Sequence, residues 1–202
     1  MLGKLVTVAA VAYGGMMLAR NLNKGSARGG LSEVEASTEV DVPVRTAYDQ
    51  WTQFEEFPRF MGSVQEVRQL DDVHLHWRAT VAGKPKQWDA EITDQIPDER
   101  IAWRSTSGPM NMGVVTFDKI AEGRTRVTLR MVYGPQGMHE KIGDALGAVK
   151  MEAHRNLAAF KELIEGRGVE SGAWRGTVQG GVSSGDESQQ ARSGSTNTAG
   201  SV

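Results

Sequence analysis

The sequence predicts an α+β domain in which a curved, seven-stranded antiparallel sheet surrounds one long C-terminal helix. Segments in which apolar and polar residues alternate recur through the middle of the chain, as half-buried strands require. Short turns containing Gly or Pro separate most of these segments, which favours an antiparallel meander. A single apolar stripe with spacings of three and four residues follows the last strand and indicates a long amphipathic helix.

Composition divides the 202-residue chain into three parts. Residues 1–28 form an apolar segment and linker, residues 32–166 form the periodic domain, and residues 167–202 form a tail rich in Gly and Ser. The tail has little apolar surface to bury, so we expect it to be disordered, with Trp174 either incidental or a docking residue. The net charge of −2 and the lack of a basic stripe argue against nucleic-acid binding. The chain contains no cysteine, which excludes disulfides and thiolate chemistry.

An uncharged run from Leu5 to Ala19 lies between Lys4 and Arg20. Its length of about 15 residues is short for a bilayer core, which asks for roughly 20, but basic side chains at both ends can reach the headgroups. We expect a membrane anchor; a signal peptide and a helix packed on the domain are the alternatives. An anchor with its positive charge concentrated after the run would place the domain in the cytoplasm, whereas a signal peptide would mean export.

The domain is predicted to open with one strand and two short helices. Residues 33–42 alternate between apolar and mostly charged side chains, which predicts a strand with one buried face. Pro43 can begin a helix, and the apolar spacing from Val44 to Trp51 predicts a short one. Pro58 disfavours a continuous helix through the aromatic stretch 54–61, so a second short helix or turn is expected there.

Six further strands are predicted at 63–71, 73–82, 88–93, 101–104, 114–120 and 125–133, with Met110 and Met112 in a loop between two of them. Alternation assigns one face of each strand to the interior. The long helix is predicted over 136–165, with Gly166 as its stop. The largest inward side chains on the strands are Trp77, Trp88, Trp103, Phe117, Met131 and Tyr133.

The widths of these elements raise the possibility of an internal cavity. Seven strands spaced about 4.8 Å apart form a surface roughly 30 Å wide, whereas a helix with its side chains is only about 10 Å across. A sheet that curves around such a helix need not close on it completely. Periodicity alone is compatible both with an open pocket and with a fully packed core.

Three segments carry a family resemblance: PVRTAYDQWTQFEEFPRFMGSVQEV, WDAEITDQIPDERIAWRSTSG and GVVTFDKIAEGRTRVTLRMVY. Together they resemble the polyketide cyclase/dehydrase and lipid-transport group of the START-like (SRPBCC, Bet v 1-like) superfamily, near bacterial coenzyme Q-binding START domains. The resemblance covers residues 32–166 and implies a helix-grip fold with a deep apolar cavity. It implies binding or transport of a quinone-, polyketide- or lipid-like molecule, with a cyclase, aromatase or dehydrase enzyme as the alternative.

The expected site is an apolar ligand cavity without catalytic residues, metal ligands or a cofactor. The inward faces carry almost no titratable groups, and Glu152 is assigned to the solvated face of the helix. His74 and His76 share a strand face, but they have no third ligand and are interpreted as surface histidines. The residues expected to line the cavity are Tyr48, Trp51, Phe57, Trp77, Trp88, Trp103, Phe117, Met131, Tyr133, Ile142, Leu146 and Val149.

Overall fold

The computed structural model describes residues 32–81, 83–134 and 142–184, with side chains described for residues 33–81, 83–132 and 147–184. The expected membrane anchor in residues 1–28 and the tail beyond residue 184 therefore lie outside the described residues. Within the described part of the chain, no helix has both the length and the apolar character needed to cross a bilayer.

The elements follow the predicted order, with additional strands at the C-terminal end. They are β1 (Ser32–Val40), α1 (Val44–Trp51), a 3-10 helix (Phe54–Arg59), β2 (Val64–Gln69), β3 (His74–Val81), β4 (Lys84–Ile96), β5 (Arg100–Ser105), β6 (Met110–Ala121), β7 (Arg124–Gly134), α2 (Ile142–Arg167), β8 (Thr177–Gln179) and β9 (Val182–Ser184).

The sheet is an antiparallel meander with the strand order β1-β7-β6-β5-β4-β3-β2. Bulges interrupt the register after Val64 in β2, after Ile92 in β4 and after Lys119 in β6, and such irregularities bend and twist strands. Leu157 and Phe160 of α2 share one core cluster with inward residues of the strands. The α+β helix-grip prediction is thus confirmed.

The helices near the N-terminal end of the domain form where prolines permit them. Pro43 precedes α1 and its carbonyl accepts a hydrogen bond from the Ala47 N–H at 3.1 Å. Pro58 lies inside the six-residue 3-10 helix, and its missing N–H prevents this segment from continuing as a regular α-helix. Trp51 and Phe57 from these two helices are both buried in the core.

Two predicted boundaries need correction. Helix α2 ends at Arg167, two residues after the predicted last residue at 165, because Gly168 rather than Gly166 adopts the left-handed conformation, with φ of 69°. The Gly168 N–H donates to the Ile164 carbonyl at 2.8 Å and closes the helix. Met110 and Met112 belong to β6 rather than to a loop, since they pair with Gly134 and Val132 of β7.

The prediction of a disordered tail is wrong for residues 171–184. Trp174 is only 8% exposed, and its backbone N–H donates to Thr52 Oγ1 at 3.1 Å. Strand β8 pairs with Asp94 and Gln95 of β4 and forms a hairpin with β9, so the sheet has nine strands rather than seven. The composition of this segment does not reveal that it is ordered, because its partners, such as Gln50 of α1 and the strand β4, lie elsewhere in the chain.

Candidate ligand-binding cavity

A cavity of about 330 Å³ lies between the inner face of the sheet and α2. This volume is at the lower end of the range found for small-molecule sites. In the lining, Ala148 of α2 is exposed and the Glu152 side chain is 33% exposed. The lining residues are Trp51, Phe54, Phe57, Met61, Ser63, Val64, Leu75, Trp77, Ala79, Thr80, Val81, Trp88, Ala90, Ile92, Ile101, Trp103, Asn111, Leu129, Met131, Ala148, Val149, Glu152, Ala153 and Asn156.

Interlocked aromatic rings form one wall of the cavity. Phe57 contacts Trp51 edge-on with ring centroids 5.5 Å apart, and it contacts Trp77 in the same way at 5.8 Å. Trp51 also packs edge-on against Phe160 of α2 at 4.9 Å. Edge-to-face contacts are a favoured arrangement of aromatic rings, so this wall is held in a defined shape without a ligand.

Trp103 is fixed by two neighbours on β6. Its Nε1 donates a hydrogen bond to Asn111 Oδ1 at 3.1 Å. Gly113 lies beneath the indole: a Cβ at this position would be 2.7 Å from ring atom Cζ2 of Trp103. The absence of a side chain at Gly113 therefore allows the ring to lie close to the backbone of β6.

Five polar side chains interrupt the apolar lining: Ser63, Thr80, Asn111, Glu152 and Asn156. Glu152 was predicted only as part of the solvated face of the helix; its side chain is 33% exposed, and the residue also borders the cavity. Its position one turn before Asn156 places both side chains on the same face of α2. Asn111 was missed because its segment reads as a loop, and Asn156 was missed because it stands at the edge of the apolar stripe.

The structure brings most of the predicted site residues together around the cavity. Those in its lining are Trp51, Phe57, Trp77, Trp88, Trp103, Met131 and Val149. The side chains of Tyr133, Ile142 and Leu146 lie outside the described residues. Leu75, Ile92 and Ile101 also line the cavity, and the alternation that identified the tryptophans placed them on the same face.

Tyr48 and Phe117 do not line the cavity, which corrects their assignment to the site. Their rings pack edge-on with centroids 5.5 Å apart in the closed part of the core. Gln95 Nε2 donates to the Tyr48 hydroxyl at 2.8 Å. Burial raises the pKa of Tyr48, so its phenol remains protonated at neutral pH. Alternation identifies the inner face of a strand, but it does not show where along the sheet the helix closes the interior.

A partly buried cluster of ion pairs connects α1 to the C-terminal segment of the chain. Arg175 Nη1 donates to Asp49 Oδ1 at 2.7 Å, while Nη2 donates to Asp98 Oδ2 at 2.7 Å. The Asp49 side chain is 1% exposed, and burial raises the pKa of its carboxyl, an effect that Arg175 opposes. Asp49 and Trp51 belong to the same short helix, so this cluster fixes the helix that supplies Trp51 to the cavity wall.

The histidine pair lies on strand β3 among ion pairs. His74 Nδ1 is 2.8 Å from Asp71 Oδ2, and His76 Nδ1 is 2.7 Å from Asp89 Oδ1. The bond to His76 holds the pKa of Asp89 below its usual value. In the ranges that the structure describes, no group of three or more His, Cys, Asp or Glu side chains is placed to hold a metal ion.

Comparison with known proteins identifies related sequences and folds. A curated relative, an uncharacterized 17.2 kDa protein of Streptomyces lincolnensis, is 50% identical over 149 residues, covering 73% of this chain and 99% of that protein. The Zhui aromatase/cyclase of a Streptomyces species has a similar fold, with a TM-score of 0.61 at 16% identity over 71% of this chain and 99% of that one. A START superfamily protein from Mycobacterium smegmatis matches with a TM-score of 0.54 at 14% identity, over 67% and 95% of the two chains.

The family model described as polyketide cyclase / dehydrase and lipid transport matches residues 40–162. This match runs from the end of β1 into the last turns of α2 and includes most of the residues that line the cavity. The chain therefore belongs to the polyketide cyclase / dehydrase and lipid transport family.

Proposed function

We propose that this protein binds or carries a hydrophobic small molecule in the cavity between α2 and the sheet. The observation that supports this proposal is the open space that remains beside Trp77, Trp88 and Trp103. A protein that needed these rings only for stability would gain more by packing them completely, because each void leaves dispersion contacts unmade.

Apolar burial would supply most of the affinity. At roughly 25 cal/mol for each Å² of apolar surface removed from water, even a small guest gains several kcal/mol before the entropy of association is subtracted. The five polar side chains of the lining would orient the guest rather than hold it. Quinone-, polyketide- and lipid-like molecules all meet this description.

Native mass spectrometry of the full-length protein tests the proposal, with organic extraction of any molecule that copurifies. We expect a bound mass that survives gentle ionisation and that is lost or reduced in Trp88→Ala. A clean ligand-free mass from several expression hosts, together with no uptake of added hydrophobic compounds, would contradict the proposal.

A second candidate function is a cyclase or dehydrase acting on a bound polyketide. The observation that favours it is the Glu152 carboxylate at the border of an otherwise apolar cavity. As a general base, Glu152 would take a proton from a methylene flanked by two carbonyls. The resulting carbanion would form a carbon–carbon bond to another carbonyl of the same chain, and loss of water would follow. The similar fold of an aromatase/cyclase is consistent with this candidate.

Turnover separates the two functions. If the protein is an enzyme, Glu152→Gln abolishes product formation from a poly-β-ketone substrate while the substrate still binds. If it is a carrier, the purified protein returns the substrate unchanged and the same substitution alters only affinity. Product analysis by mass spectrometry detects the loss of water in the first case.

We further propose that residues 1–28 tether the domain to a membrane, with the domain in the cytoplasm. The support is the uncharged run between Lys4 and Arg20 and the basic residues after it. Tethering would raise the local concentration of a ligand that partitions into lipid. Membrane fractionation of the full chain and of a chain lacking residues 1–28 tests this, and a cleaved, exported product would contradict it.

A further inference from the structure

We infer that the cavity selects neutral hydrophobic molecules that carry a hydrogen-bond donor and discriminates against anions, and that Glu152 determines this specificity. The inference rests on the proposed binding function and narrows its ligand class. With this specificity, the cavity would bind hydrophobic alcohols and phenols more tightly than free fatty acids and other hydrophobic carboxylates.

The formal charge of the described lining comes from a single residue. Among the described residues that line the cavity, Glu152 is the only one that is formally charged, and none is Lys, Arg or His. A ligand carboxylate inside this cavity would have no cation to pair with. It would lose hydration among apolar side chains and would also face a charge of the same sign.

The Glu152 carboxylate has hydrogen-bonding capacity available for a ligand. Among the described residues, the cation that pairs with it is Arg155, whose Nη1 lies 3.6 Å from Oε2, which is longer than a hydrogen bond. Arg155 is 66% exposed, so its charge is largely hydrated. The carboxylate therefore remains able to accept a hydrogen bond from a ligand, and a bond to an ionised acceptor is stronger than one between neutral groups.

Glu152 has a polar neighbour, Asn156, on the same face of α2. Ala153 is buried at 4% exposure and Asn156 also lines the cavity, so this face of the helix points toward the ligand space. The Asn156 carboxamide can donate to a ligand oxygen or accept from a ligand hydroxyl. Glu152 and Asn156 together form a polar strip beside the apolar wall, and a molecule with one hydroxyl on a hydrophobic body would satisfy both surfaces.

Isothermal titration with a matched pair of probes tests the inference. The probes are 2-naphthol, which is neutral at pH 7.4, and 2-naphthoic acid, which is then an anion. The full-length protein is held in nanodiscs of uncharged lipid, and the titration of empty nanodiscs is subtracted. The decisive quantity is the ratio of the two affinities, compared between variants, since this comparison cancels the intrinsic difference in hydrophobicity between the probes.

We expect wild type to prefer 2-naphthol, and Glu152→Gln to reduce that preference about tenfold by gaining affinity for 2-naphthoate. Arg155→Ala removes the neighbouring cation and should increase the preference about two- to threefold. Glu162→Gln changes an exposed carboxylate elsewhere on the same helix and should leave the ratio unchanged.

The outcomes separate this inference from the proposed function. Equal affinity ratios in wild type and Glu152→Gln, with both probes bound, would overturn the selection by charge and leave the binding function standing. A change of the same size in Glu162→Gln would also overturn it, because the effect would then be one of net charge. If neither probe binds any variant, the proposed binding function is overturned, and so is the inferred preference for neutral ligands.

Discussion

Trp77 and Trp88 are directly paired across β3 and β4, and their indole planes are parallel to within 6° with ring centroids 5.7 Å apart. Offset stacking of this kind contributes about 0.5–1.5 kcal/mol beyond the area that the rings bury. Phe57 also contacts Trp77, edge-on with ring centroids 5.8 Å apart. Both rings line the cavity, so the stacked pair is a pre-formed part of its wall.

Replacing Trp88 by Ala should weaken binding of 2-naphthol about tenfold, because the guest loses one ring of this wall. The fold should survive with a loss of about 1–3 kcal/mol in the free energy of unfolding, since Trp88 is only partly buried. Titration calorimetry and urea unfolding measure the two effects. The adjacent exposed residue provides the control: Gln87→Ala should change neither quantity, and equal affinity in wild type and Trp88→Ala would count against the tryptophan wall.

Replacing Gly113 by Ala should displace the Trp103 indole and weaken its hydrogen bond to Asn111. The new methyl group would be 2.7 Å from the ring and 2.6 Å from the Arg130 carbonyl, so strand or ring must move. Overpacking of this kind destabilises by about 1–3 kcal/mol. Gly62→Ala is a matched control, because nothing lies within 4 Å of a Cβ there. Similar urea midpoints for the two variants would show that the close approach is unimportant.

Replacing Arg175 by Ala should destabilise the domain by about 3 kcal/mol, because it leaves the buried Asp49 carboxylate without its main partner. Arg126→Ala is the comparison, since Arg126 and Glu39 form an ion pair in which both side chains are about half exposed. Breaking that pair should cost less than about 1 kcal/mol. Urea unfolding at pH 7 measures both losses, and equal values would contradict the difference in burial as the cause.

The loss in the free energy of unfolding caused by Arg175→Ala should become smaller as the pH falls. Burial raises the pKa of Asp49 above its ordinary value of 3.8, and removing Arg175 allows it to rise further. A carboxyl whose pKa is higher in the folded state adds stability as the pH falls through that folded pKa, and the gain is complete below 3.8. This loss is therefore largest at pH 7 and smaller near pH 4. In an Asp49→Asn background Asp49 no longer titrates and Asp98 is the remaining carboxylate partner of Arg175, so the effect of Arg175→Ala should depend less on pH.

Most of the helix-grip domain follows from local patterns. The strands from β1 to β7 are identified by alternation, and the position of α1 follows from Pro43 and the spacing of apolar residues. The inward orientation of Trp77, Trp88 and Trp103 follows from the same alternation. These features could be predicted because a two-residue or 3.6-residue period is a property of neighbouring residues in the chain.

The features that could not be predicted depend on contacts between distant segments. Trp174 lies in a segment without periodicity, and its burial depends on Thr52 and the surface of α1. Glu152 reads as a solvated helix residue because the pattern does not show how far the apolar cover of the sheet extends. Tyr48 and Phe117 have the inward pattern of a lining residue, yet they pack against each other in the closed part of the core.

The pairing of β8 with β4 also bears on self-association. Beyond the end of β3, the backbone of β4 at Asp94 and Gln95 would present unpaired amide and carbonyl groups, and such an edge is a template for strand addition by another molecule. Because β8 pairs with these residues and β9 pairs with β8, the edge strand in this part of the sheet is β9, which is only three residues long. The C-terminal hairpin therefore protects this edge from β-pairing between molecules. A chain shortened before Thr177 would leave the edge of β4 unpaired and open to strand addition by other copies of itself.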